Sequence, residues 1–305
     1  MIYRVTHRTK YVYSEPVTVS HHTARLSPLN NATQQRDEFT LEITPQPSVR
    51  KLRTDYFGNR LCFFSIQQIH QSLNIIARSV VSVENATPPL PQLSPPWEQV
   101  AALFRDPVSS EVVEAYQYVF GSPLILPTPE LAEYAAESFD KDAPLLVGAR
   151  QLTERIYEDF KYDPVATTVS TPLGEVLKNR RGVCQDFAHV AIAALRALGL
   201  PARYVSGYLR THPVAGQPRL TGADASHAWF SVHCPGHGWV DFDPTNNLMP
   251  RDEHIAVAYG RDFSDVSPVT GVITGGGRHK VQVAVDVEPF RPDETTDEAV
   301  SESVD

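Results

Sequence analysis

The sequence predicts an α+β protein in which an antiparallel β domain precedes a larger domain with both helices and strands. Apolar and polar residues alternate through roughly the first 86 positions, five prolines follow within a short stretch, and helical apolar spacing begins after them. We therefore expect an N-terminal antiparallel β-sandwich over residues 1–86 and a semi-rigid Pro-rich linker over 87–97. A second domain should cover 98–287, and an acidic, disordered tail 288–305.

The strand pattern of the first domain is clearest in two segments, residues 39–43 and 73–83, where every second residue is apolar except for Ser79. Residues 55–59 have the composition of a turn between two such segments. Helices follow the linker. Apolar spacing predicts one over 112–120, and the pair Thr128-Pro129 predicts the capped start of another.

The second domain continues with a third amphipathic helix over residues 145–160 and a short helix that opens at Thr171-Pro172. The last third of the chain reads as strands, ending in strict alternation over 281–287. A polar loop over residues 210–224 either covers a site or only connects two strands.

Composition narrows the class of protein. The net charge is −9, of which the tail contributes −6, so the rest of the chain is close to neutral. It lacks the excess of basic residues that is typical of nucleic-acid-binding proteins. No run of 18 apolar residues and no signal-peptide core are present, which predicts no membrane span and a cytoplasmic location. Three cysteines fit a reducing compartment without a disulfide framework.

Cys184 lies where a glycine-containing loop enters a helix. Apolar residues recur at helical spacing after it, and Gly199 and Pro201 end the pattern. A helix N-terminus presents free N–H groups and a positive dipole end, which favour a thiolate. Gly182 should provide a flexible turn before this helix. Because a small buried hydrophobe is the commoner use of cysteine, a nucleophile also requires a base.

The base is found in a predicted hairpin. One strand begins at His227, a Pro-Gly turn follows it, and the second strand ends near Asp243. The start of the first strand and the end of the second lie side by side in such a hairpin, so His227 and Asp243 should be neighbours. Together with Cys184 they supply a nucleophile, a base and an orienting carboxylate. Asp241 has the same strand parity as Asp243, so alternation does not separate the two.

Three sequence blocks carry a family resemblance. Residues 181–188 and 196–208, the triplet at 227–229 and residues 238–245 resemble the transglutaminase-like superfamily. Residues 3–11 and 55–59, together with His254-Ile255 and residues 260–262, are similar to its bacterial branch with an N-terminal β domain. The resemblance implies a papain-like thiol fold in 98–287, with Cys184, His227 and Asp243 as triad. The family's aspartate precedes a small residue and threonine, which favours Asp243 over Asp241.

The resemblance implies a thiol acyl-transfer enzyme acting on peptide or amide bonds of a peptide or protein substrate, without a cofactor. The same triad serves hydrolysis and amine transfer. Hydrolysis by a cysteine protease or amidase is favoured because no residue clearly selects an amine. Transglutamination and a non-catalytic scaffold are the alternatives.

Further residues have lesser roles in this prediction. Tyr162, Gln185 and Trp229 are candidates for substrate contact or for a side chain that stabilises the oxyanion, and Trp229 could equally be core. His233, Cys234 and His237 match no common zinc spacing, and the first two point to opposite faces of a strand, so no metal site is predicted.

Overall fold

The computed structural model describes residues 1–106, 110–211 and 225–290. Its first part consists of five antiparallel strands. They are β1 (Ile2–Ala24), β2 (Gln34–Thr44), β3 (Val49–Thr54), β4 (Arg60–Ile66) and β5 (His70–Val83). The prediction of an N-terminal antiparallel β domain is confirmed.

Strand β1 is long enough to serve two halves of this domain. Its N-terminal half pairs with β5 and its C-terminal half with β4, with a break in the β5 register between Val12 and Val17. Strand β2 borders β5, and β3 borders β4. Apolar side chains from both halves, such as Ile75 and Phe64, form one buried cluster. The alternating apolar residues of these strands thus face a core that lies between the two halves of the domain.

Helices dominate the middle of the chain. They are α1 (Trp97–Leu103), α2 (Ser110–Tyr116), α3 (Pro129–Ala136), α4 (Leu145–Asp159), α5 (Leu173–Asn179) and α6 (Cys184–Ala197), with short strands β6 (Lys161–Tyr162) and β7 (Arg181–Gly182) paired in parallel between them. The helix starts predicted at Thr128-Pro129 and Thr171-Pro172 are confirmed. Helix α6 is the most buried of the six: all residues from Asp186 to Arg196 are buried.

A four-stranded antiparallel sheet packs against α6. Its strands are β8 (Ala202–Leu209), β9 (Ala225–Cys234), β10 (Gly238–Phe242) and β11 (His254–Gly260), in the order β10-β9-β8-β11. The predicted hairpin is β9–β10, in which Phe230 lies opposite Phe242. Helix α6 and this sheet share one large apolar core with the other helices.

The chain then returns to the first domain. After helix α7 (Phe263–Val266), strands β12 (Val269–Gly275) and β13 (His279–Pro289) both pair with β1, and Tyr3 lies opposite Pro289. The range predicted for the second domain, 98–287, therefore contains two strands of the first sheet. Local alternation could identify these strands but could not reveal their partner, since pairing across the whole chain leaves no local signal.

The two parts of the molecule are joined by buried polar contacts. The side chain of Gln34 donates to the carbonyl oxygen of Ala256 at 2.9 Å and accepts from the backbone N–H of Ala256 at 2.8 Å. In the same way, the side chain of Asn59 donates to the carbonyl oxygen of Tyr259 at 2.7 Å and accepts from the backbone N–H of Tyr259 at 2.8 Å. Strand β11 is thus held along its outer edge by side chains of the β domain.

Two predicted features fall largely outside the described residues: the tail from residue 291 onward, and the loop over 210–224 from residue 212 onward. In the described ranges, none of the helices combines the length and apolar character needed to cross a bilayer.

Candidate active site

Helix α6 begins at Cys184, as predicted. Asp186, in its first turn, accepts a hydrogen bond from the backbone N–H of Val183 at 2.8 Å and one from the Thr167 hydroxyl at 2.6 Å. This contact caps the helix and ties the preceding loop to it. The Cys184 side chain is partly exposed, in contrast to the buried Cys62 and Cys234.

Gly182 has a different role from the flexible turn that we expected. It lies in β7, paired with Tyr162, and it has no positive φ angle. A Cβ atom at this position would collide with the side chain of Asp186. The glycine is therefore required by the close approach of the capping carboxylate.

His227 lies between Cys184 and Asp243. Its Nε2 atom is 2.7 Å from Oδ2 of Asp243, and the side chain of Cys184 lies close enough to the ring to contribute to the rise in its pKa. Because Nε2 faces the carboxylate, Nδ1 is the nitrogen that remains for the sulfur. Continuing the hairpin register one step past Phe242 makes Asp243 a diagonal neighbour of His227, which is the proximity that the sequence predicts.

Asp243 is fully buried, and donors surround its carboxylate. Oδ1 accepts from the backbone N–H groups of Thr245 at 2.9 Å and Asn246 at 3.2 Å. Oδ2 accepts from His227, from His254 at 2.9 Å and from the Asn246 side chain at 2.7 Å. These bonds keep the carboxylate ionised in a site without solvent.

In the His227–Asp243 pair, the charged form of each side chain stabilises the charged form of the other. Burial lowers the pKa of His227, but hydrogen bonds to Asp243 and Cys184 outweigh it and raise that pKa above its ordinary value. Burial raises the pKa of Asp243, but hydrogen bonds from His227 and His254 outweigh it and hold that pKa well below its usual range. The arrangement therefore favours an imidazolium between a carboxylate and the sulfur.

Asp241, the alternative carboxylate, lies away from His227. It accepts from the indole N–H of Trp229 at 3.0 Å and from the hydroxyl of Ser231, its partner across the hairpin. The two aspartates thus occupy equivalent diagonal positions but contact different residues of β9.

His254 completes the buried group and was not predicted as a site residue. It begins β11, and its Nε2 atom lies 2.9 Å from Oδ2 of Asp243. Its position depends on the register of β11 against β8, which the sequence does not indicate. One nitrogen each of His227 and His254 and an oxygen of Asp243 lie within 4.8 Å of one another, and metal ions are also bound by such groups. Here, however, both Nε2 atoms are hydrogen-bonded to Oδ2 of Asp243.

The geometry can now be compared with known proteins. Residues 3–82 match the bacterial transglutaminase-like N-terminal region, and residues 132–244 match the transglutaminase-like superfamily. The chain belongs to the transglutaminase-like superfamily.

Several relatives are similar over most of their length. An uncharacterized protein of Mycobacterium tuberculosis strain H37Rv is 42% identical over 299 residues, which cover 95% of this chain and 94% of that protein. One from Mycobacterium leprae is 32% identical over 289 residues, covering 93% and 97%. A protein-glutamine gamma-glutamyltransferase of Pseudomonas aeruginosa is 32% identical over 109 residues, only 33% of this chain and 16% of the relative.

A solved structure shares the fold. The crystal structure of a candidate cysteine protease from Cytophaga hutchinsonii superposes with a TM-score of 0.73 at 20% sequence identity, covering 97% of this chain and 92% of that one. The predicted fold class, a papain-like thiol-enzyme core combined with an antiparallel β domain, is confirmed.

The three lesser candidates differ in position. Tyr162 is 53% exposed and near Cys184; burial, and then the charge of Cys184, raises the pKa of its phenol. Gln185 is half-buried beside Cys184 in the first turn of α6. Trp229 is only 1% exposed, and its indole N–H donates to Asp241. The burial of Trp229 and its bonded indole N–H favour the alternative reading of this residue as part of the core.

Proposed function

We propose that the protein is a thiol acyl-transfer enzyme in which Cys184 attacks a peptide or amide carbonyl and becomes acylated. One observation carries the proposal. The sulfur at the start of α6 lies beside an imidazole whose Nε2 atom is bonded to a buried carboxylate. Family membership supports the same chemistry. A scaffold without activity would not require three groups in these roles.

The steps follow from the proton positions. The Asp243 carboxylate can only accept, so His227 carries its hydrogen on Nε2, and Nδ1 exchanges the proton with sulfur. The thiolate attacks the carbonyl carbon, and the Nδ1 proton passes to the leaving amine as the C–N bond breaks. A thioester on Cys184 remains. Neutral His227 then removes a proton from the acceptor, and attack of the acceptor releases the thiol.

The negative oxygen formed on attack needs donors. The backbone N–H of Cys184 belongs to the first turn of α6, where helical N–H groups have no partner within the helix. We assign it as one donor to the oxyanion. Tyr162, whose phenol senses the charge of Cys184, and Gln185, next to Cys184 in the first turn, are the candidates to supply another.

Hydrolysis is the reaction that we favour, by a cysteine protease or amidase acting on a peptide or protein substrate. Nothing in the described site selects an amine in preference to water. Amine transfer is the second candidate, since one relative, matched over a third of this chain, is a protein-glutamine gamma-glutamyltransferase. The cytoplasmic location inferred from the sequence stays a prediction.

The proposal is tested by trapping the acyl-enzyme. The purified protein is incubated with extract of its own cells, quenched in acid and digested, and the mass added to the Cys184 peptide is measured. We expect an acyl adduct on Cys184 that is absent in Cys184→Ala. The peptides of Cys62 and Cys234 serve as internal controls. An unmodified Cys184 in every extract and at every time of quenching would contradict the proposal.

The identified acyl donor then separates the two reactions. It is supplied with a primary amine at millimolar concentration, and the products are quantified. Free acid as the main product supports hydrolysis, whereas an amide product that dominates under these conditions establishes transglutamination. Turnover to neither product would favour the scaffold alternative.

A further inference from the structure

A second histidine, His254, shares the carboxylate oxygen that holds His227. Its Nε2 atom lies 2.9 Å from Oδ2 of Asp243, and its side chain is 4% exposed. The rings of His254 and His227 are 5.8 Å apart between centroids. Because Oδ2 only accepts, His254 must carry a hydrogen on Nε2, as His227 does. Both imidazoles therefore compete for the negative charge of one oxygen.

The packing around His254 fixes its ring. Trp229 meets it edge to face, with centroids 5.2 Å apart, and Asp241 holds the Trp229 indole. Strand β8 lies between the strands that carry these two rings. At Gly207 it has no side chain, and a Cβ atom there would collide with Trp229 and with the carbonyl oxygen of Ile255. The glycine thus lets the Trp229 ring cross β8 and reach His254.

The β domain fixes the strand that carries His254. Two residues further along β11, Ala256 is hydrogen-bonded through both backbone groups to the buried side chain of Gln34. The backbone N–H of Leu29 also donates to the Ala256 carbonyl at 3.0 Å. A continuous set of bonds therefore runs from the β domain through β11 and His254 to Asp243.

We propose that His254 is a positioning residue that sets the strength of the Asp243–His227 interaction, and that the β domain holds it in place. This inference rests on the proposed function for its catalytic meaning. The donor from His254 withdraws charge from Oδ2, so Asp243 stabilises the His227 imidazolium less strongly than it would alone. His227 then remains acidic enough to protonate a leaving amine.

Two amide substitutions that differ by one methylene group test this role. The side chain in His254→Gln is long enough to place an N–H near the former Nε2 position, whereas that in His254→Asn is too short. The titration of His227 is followed by NMR on protein with ¹⁵N-labelled histidine, its signals assigned with His227→Gln. We expect the pKa of His227 in His254→Asn to rise by about half a pH unit or more, and that in His254→Gln to stay near wild type.

His254→Phe provides a second variant that keeps a ring against Trp229 and removes the donor. It should show the same upward shift, which separates the hydrogen bond from the packing. Unfolding midpoints of all three variants are recorded with the titrations. A His227 titration identical to wild type in both folded Asn and Phe variants would overturn the proposal, even if both variants were less stable.

Turnover provides the catalytic readout. On an acyl donor identified by trapping, His254→Asn should lower kcat by about tenfold or more and leave KM unchanged, since His254 does not contact substrate. If wild-type Cys184 accepts no acyl group, the proposed function fails. The titration then still decides whether His254 controls His227.

Discussion

The carboxylates of Asp241 and Asp243, two residues apart at the end of one strand, contact different partners on the neighbouring strand. Asp241 accepts from the Trp229 indole and Asp243 from the His227 ring. Each aspartate thus bonds the residue diagonal to it in the hairpin. The same strand register therefore places Asp243 against His227 in the site and Asp241 against the Trp229 indole beside it.

This relationship yields a matched pair of variants. Asp243→Asn removes the charge beside His227 and should slow acyl transfer by about 10²- to 10⁴-fold. Asp241→Asn removes the same charge two residues away and should change the rate far less. The measurement is single-turnover acylation of Cys184. Equal losses in the two variants would show that Asp243 has no special role.

The three cysteines should differ in reactivity. We expect iodoacetamide at mildly acidic pH to modify Cys184 first, because this residue is partly exposed and lies beside the His227 imidazolium. Cys62 is buried, and burial raises the pKa of the Cys234 thiol to about 11. Peptide mass spectrometry over time gives the rates. His227→Ala should remove most of the preference, and similar labelling of all three thiols would refute it.

The His227–Asp243 pair should also appear in the pH dependence of stability. The folded pKa of His227 is raised, so its contribution is complete below ~6.5 and is lost as pH rises toward about 10. The folded pKa of Asp243 is lowered, so its contribution is present above ~3.9 and is lost as pH falls below that value.

The two contributions overlap between pH ~4 and ~6.5. The difference in unfolding midpoint between wild type and Asp243→Asn should be largest there and should shrink on both sides. Thermal unfolding across pH 3–9 measures it. A difference that grows steadily up to pH 9 would contradict the assigned charges.

Gly207 should tolerate no side chain. Gly207→Ala places a Cβ against the Trp229 ring and the Ile255 carbonyl, which should cost about 1–3 kcal/mol of unfolding free energy and displace His254. Gly174→Ala is the control: it lies in helix α5, nothing approaches its Cβ, and alanine should be neutral or stabilising there. Chemical denaturation compares the two, and equal stabilities would refute the crossing of Trp229 over β8.

The sequence reveals the features of the site that depend on local structure. The start of α6 at Cys184 follows from helical spacing, and the proximity of His227 to Asp243 follows from a hairpin with a short turn. His254 could not be found in this way. Its approach to Asp243 depends on β11 pairing with β8 and on Gln34, more than 200 positions away, holding β11. Alternation also left Asp241 and Asp243 equivalent; the family resemblance favoured Asp243, and in the structure their diagonal partners distinguish them.

The pairing of β12 and β13 with β1 has a consequence for synthesis on the ribosome. Strand β1 is synthesised long before two of its partner strands, β12 and β13, with Tyr3 opposite Pro289. One edge of β1 therefore stays unpaired while the helical core is translated, and the final closure of the β domain is a late, long-range event of the kind that folds slowly.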